Sequence, residues 1–208
     1  MNSVRLHYTE DFVLLDIPDE SLAAMYSFLL PESVAEHIEY YRKLLLRRSI
    51  SEKSIPKMRG ADWRSLSGRG LPRGIVMEVA PLLYECEEHR LYFSSFCEQK
   101  PDSPSMSASG DIARFIYDVY KACSEAHSDF VTLCVDPFRR DVLIDCGTYS
   151  ARVLRRCIPV LALDICEHAY FRVYGFDRDR YIREALRHFD LEKITKVLDI
   201  RKKHGFYG

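Results

Sequence analysis

Asp164 and His168 are the two residues of this sequence best spaced to do chemistry together. Asp164 follows the apolar run Ile158 to Leu163, which reads as a strand, and His168 lies four residues on, where a helix is expected to begin. At such a junction both side chains can point at one site. A carboxylate oxygen beside an imidazole nitrogen suits iron, manganese or zinc. The spacing alone is common, and the competing reading is an Asp that caps a helix beside an unrelated His. Glu167, between them, reads equally as an acid favoured by the helix dipole at a helix start.

The elements that must position this pair can be read from hydrophobic periodicity. An irregular stretch runs to about Pro31. Glu32 to Ser49 is predicted as a helix, with Ile38, Tyr41, Leu45 and Leu46 at helical spacing. Ser51 to Gly74 is loop-rich, and Ile75 to Phe96 is predicted as a second helix carrying Val79, Leu82, Leu83, Cys86 and Tyr92. The Pro/Ser-rich segment from Lys100 to Gly110 reads as a linker. A helix over Asp111 to Ala126 follows, then strands at Phe130 to Val135, Val142 to Cys146 and Ile158 to Leu163. The first two strands are joined too closely for a parallel crossover and should be antiparallel. Helices are expected over Cys166 to Val173, Arg178 to His188 and Leu191 to Lys203. The fold class is therefore α+β. An N-terminal helical hairpin domain (1–99) and a linker (100–110) precede a C-terminal α/β domain (111–208) with a three-stranded antiparallel sheet.

The surroundings of the pair carry a resemblance. Asp164-Ile165-Cys166-Glu167-His168-Ala169-Tyr170 is similar to the signature of the iron/manganese superoxide dismutase family, Asp-x-Trp-Glu-His-Ala-Tyr. Glu88-His89-Arg90-Leu91-Tyr92-Phe93 resembles that family's Asn-His-x-Phe-Tyr/Phe-Trp helix, and Ala35 to Tyr41 resembles its first-helix segment. The order of elements agrees as well. The resemblance implies a metal held by three His and one Asp, with solvent as fifth ligand. His89, Asp164 and His168 fit three of those positions. Tyr41 stands at the place expected for the remaining His, and His37, one turn earlier, is the other candidate. A phenol with an ordinary pKa of about 10 is a reluctant ligand.

The shell around the metal departs from the family as well. Leu45 and Ser49 stand where the gateway His and Tyr are expected, and Cys166 stands for the Trp of the signature. Asp129-Phe130-Val131-Thr132 stands for a Gly-Trp-x-Trp strand, and Glu85 for a Gln or Gly one turn before His89. Tyr41 and Glu85 are thus the candidate catalytic residues. Outer hydrogen bonds orient ligands and tune redox potential. The reading therefore favours a family member with a degenerate iron or manganese site, or with no metal, over an active superoxide dismutase. Glu167 implies a homodimer, because in the family this Glu reaches the metal His of the partner chain.

Bulk properties restrict the remaining options. The formal net charge is −1 over 208 residues with 47% hydrophobic content, so overall charge points to neither nucleic acid nor membrane. No apolar run is long enough to span a bilayer, and the N-terminus lacks the pattern of a signal or transit peptide. Seven scattered cysteines without CxxC spacing read as reduced, mostly buried thiols, which suggests the cytoplasm. One segment is strongly basic: residues 42–74 hold ten Lys/Arg against Glu52 and Asp62. Such a segment could contact RNA or a ribosome, so a non-catalytic scaffold is the second functional class.

Overall fold

The structure is a computed structural model. It describes residues 15, 17–61, 65–98, 110–136, 138, 141–146, 157–190, 192, 193 and 196. Among these, the elements run α1 (Asp19–Tyr26), α2 (Pro31–Ser54), two 3-10 turns (Pro56–Met58 and Leu66–Arg69), and α3 (Arg73–Phe93). Next come α4 (Asp111–Glu125), β1 (Phe130–Asp136), β2 (Asp141–Asp145), β3 (Ile158–Asp164), α5 (Glu167–Tyr174) and α6 (Arg178–Arg187). This is the expected α+β arrangement of a helical N-terminal half and a sheet-bearing C-terminal half. Most of the expected linker, and of the helix predicted over Leu191 to Lys203, lies outside the described residues.

The helix α2 starts at Pro31, whose missing N–H costs nothing in the first turn. It buries Val34, His37, Tyr41 and Leu44, one stripe at 3–4–3 spacing. That stripe packs on α3 in antiparallel sense. His37 lies against Tyr92 and Phe93, Tyr41 against His89 and Phe93, and Leu44 clusters with Leu82 and Cys86. The pair forms the expected hairpin, with α2 reaching to Ser54, beyond the expected stop at Ser49. The helix α1 was not expected from the sequence. It is two turns long and buries only Ser21, Ala24 and Met25, so its apolar face is small.

The sheet has the order β2-β1-β3, and both pairings are antiparallel. The central strand β1 is buried along its whole length. A register shift between Leu133 and Cys134 bends the pairing with β3, and the far end brings Phe130 opposite Asp164. Ser95, just past α3, ties the helix to the sheet. Its hydroxyl donates to the Leu91 carbonyl at 2.7 Å and accepts from the Ala162 N–H at 3.0 Å. A single large core runs from α1 and α2 through α3 and the sheet to α5 and α6. No disulfide joins any of the seven cysteines. No helix among the described residues is long and apolar enough to cross a membrane.

Candidate metal centre

Four side chains, each from a different element, meet where the hairpin lies on the end of β3. The helix α2 contributes His37, α3 contributes His89, the end of β3 contributes Asp164, and α5 contributes His168. One donor atom from each lies within 4.8 Å of all the others. Asp164 Oδ2 is the hub, at 2.9 Å from His168 Nε2, 3.2 Å from His37 Nε2 and 3.8 Å from His89 Nε2. His37, His89 and Asp164 are buried, whereas the His168 side chain is 32% exposed.

These short distances are not hydrogen bonds. His37 Nε2, His89 Nε2 and Asp164 Oδ2 are buried, yet none makes a hydrogen bond of acceptable geometry. Buried polar atoms normally have partners, so three orphans converging on one point call for a shared occupant. The other donor atoms of two of these groups are engaged. His89 Nδ1 lies 2.8 Å from the Glu85 carbonyl, which can only accept, so the proton sits on Nδ1 and the Nε2 lone pair is free. Asp164 Oδ1 accepts from the Cys166 N–H at 2.9 Å, which leaves Oδ2 facing the histidines. Tyr181 donates to the Asp164 main-chain carbonyl at 2.7 Å and fixes the strand end.

Charge follows the same pattern. Burial alone would raise the Asp164 carboxyl, but His168 and His37 beside it hold it below the usual carboxylate range. Burial lowers His37 and takes His89 down to about 4. His168 is pulled down by partial burial, but Asp164 and then Cys166 push it up to about 10. Two neutral imidazoles, a carboxylate and a third imidazole within its reach are a donor set suited to iron or manganese.

A cleft of about 150 Å³ opens beside His89 and His168. Glu85, Cys166, Asp129 and Phe130, the residues standing in for the family's outer groups, all line it. Phe130 sets its ring edge against His89, with centroids 5.0 Å apart. Leu45 and Ser49 are not among the lining residues; Tyr40 is. The Tyr40 ring lies 4.7 Å from that of His168, and its hydroxyl donates to Glu85 Oε1 at 2.6 Å. Deeper in the wall, burial raises the Glu88 carboxyl to about 9, with the Tyr84 hydroxyl donating to it.

The structure thus brings together His89, Asp164 and His168, and adds His37 to them. Tyr41 lies beside the cluster. That ring stacks on His89 and Phe93 in the core. Burial raises the phenol pKa further. The signal for His37 was present: it is the one imidazole on the buried stripe of α2. Tyr40 sits on the flank of that helix, where nothing in the spacing flags it. Of the basic segment, Arg42, Arg48, Lys57 and Arg69 turn to acceptors within the chain. Arg64 lies outside the described residues.

A helical hairpin laid on a three-stranded antiparallel sheet, with three His and one Asp between them, defines an α+β protein with a cluster that could hold a metal ion. Residues 107–197 match the family model described as "Iron/manganese superoxide dismutases, C-terminal domain", which supports membership of that family. No curated protein gives a significant match to the chain.

Proposed function

We propose that this chain holds iron or manganese through His37, His89, Asp164 and His168 and that superoxide is its substrate, at a turnover restrained by the rebuilt cleft. The observation that carries this reading is the convergence of four donor atoms within 4.8 Å, three of them buried without a hydrogen bond. His37 supplies the nitrogen whose apparent loss argued for a silent centre. When bound, the metal would supply a one-electron couple that takes an electron from one superoxide and gives it to another.

The rest of the chemistry falls to the chain. His89 and His168 form the wall that separates the donor cluster from the cleft, so a small molecule arrives on their side. The first superoxide leaves as dioxygen after losing one electron. The second gains that electron and two protons and leaves as hydrogen peroxide. Tyr40 Oη holds a proton at the cleft and directs it to Glu85 Oε1. Burial of His37, His89 and Asp164 excludes water from the inner side of the site.

Supporting a dimer, Glu167 and the half-open His168 stand side by side at the start of α5, so a second copy could close that side. The competing reading is a family member that binds metal without turnover, and the acids lining the cleft favour it. Metal analysis with a superoxide consumption assay separates the two. About one iron or manganese per chain with superoxide consumed above the protein-free rate supports the proposal. A loaded protein with no consumption leaves only the silent reading.

A further inference from the structure

The cleft is built against anions. Among its lining residues are the acids Glu85 and Asp129, a third acid, Glu88, that burial keeps protonated, and no Lys or Arg. Its hydroxyl groups are also committed. Tyr40 donates to Glu85, Ser128 donates to the Phe130 carbonyl at 2.7 Å, and the Tyr84 hydroxyl donates to Glu88. A small anion entering here finds none of these side-chain hydroxyls aimed at it. A neutral molecule of the same size loses nothing.

Of the three acids, Glu85 is the best placed to act. Its main-chain carbonyl receives the His89 Nδ1–H, so its position is fixed relative to that ligand candidate. Tyr40, lying over His168 and 5.3 Å from His89, pins its carboxylate at the mouth. We propose that Glu85, held by Tyr40, is the specificity-determining residue of the cleft: its charge disfavours anionic ligands, superoxide included, and leaves neutral diatomic ligands unaffected. This inference rests on the reading of the cluster as a metal site.

The test uses the full chain loaded with iron, in wild-type, Glu85→Gln and Tyr40→Phe forms, with metal content measured first. Azide, an anion, is titrated against the ferric protein by its optical change. Nitric oxide, neutral, is titrated against the ferrous protein by electron paramagnetic resonance. Removing one charge a few ångströms from the ligand position should tighten azide by about tenfold in Glu85→Gln. Nitric oxide affinity should stay within about twofold, and Tyr40→Phe, which keeps the charge, should leave azide weak. Equal azide affinity in wild type and Glu85→Gln would overturn the proposal. So would equal gains in both variants, because control would then lie in the hydrogen-bonded plug and not in the charge. A wild-type chain that takes up no iron overturns the metal reading and this inference with it, and the initial metal measurement identifies that case.

Discussion

The carbonyl of Glu85 decides which nitrogen of His89 faces Asp164. By taking the Nδ1 proton it leaves Nε2 as a lone-pair donor, and the Cys166 N–H does the corresponding service for Asp164 by occupying Oδ1. His37 is buried on the stripe it shares with Tyr41, and the two were rival candidates for one place in the sequence. Replacement separates them. His37→Ala should weaken metal binding by more than the roughly 10–100-fold typical of losing an outer-shell partner, whereas Tyr41→Phe should retain the metal. Competition with a chromophoric chelator measures both. Asp164 and His168 were legible because they sit in a signature changed only at its Trp, here Cys166. His37 was ambiguous because helical periodicity fixes the face of a residue and not which turn meets the partner helix. Tyr40 was invisible because its role arises from a contact across 45 residues with Glu85.

At the scale of elements, the site depends on α3 and β3 being locked together. Ser95 makes that lock, and Tyr181 of α6 supports the strand end beneath Asp164. Ser95→Ala leaves the buried Ala162 N–H without its partner, at a cost of about 1–3 kcal/mol. Tyr181→Phe removes the donor to the Asp164 carbonyl and should cost a similar amount, about 1–3 kcal/mol. Urea unfolding of metal-free protein, with equal slopes in variant and wild type, would read both costs. The long helices and the β-rich runs were legible because their periodicity is strong and Pro31 marks a start. The short α1 was not, since a face of Ser21, Ala24 and Met25 barely departs from background. The sheet order was also hidden, because it depends on which neighbour β1 accepts on each side.

At the scale of the molecule, one core spans both halves, and the donor cluster lies where they meet. Metal that binds only the folded chain should stabilise all of it. At free metal about 100 times Kd the gain is about 2.7 kcal/mol. For a chain of this size that raises Tm by roughly 5–10 °C, and a chelator should remove the gain. Scanning calorimetry with and without chelator checks this. The exposed Glu167 beside His168 makes a second expectation. The wild-type chain should sediment as a dimer, and Glu167→Ala should shift it toward monomer at equal concentration.

The proposed chemistry of this chain rests on His37, His89, Asp164 and His168 together holding a metal. Elemental analysis of the purified wild-type chain beside His37→Ala, both exposed to iron and manganese and then desalted, tests it most directly. About one metal ion is expected per wild-type chain, and little in the variant. An empty wild-type chain, or a variant that loads equally, would contradict that expectation.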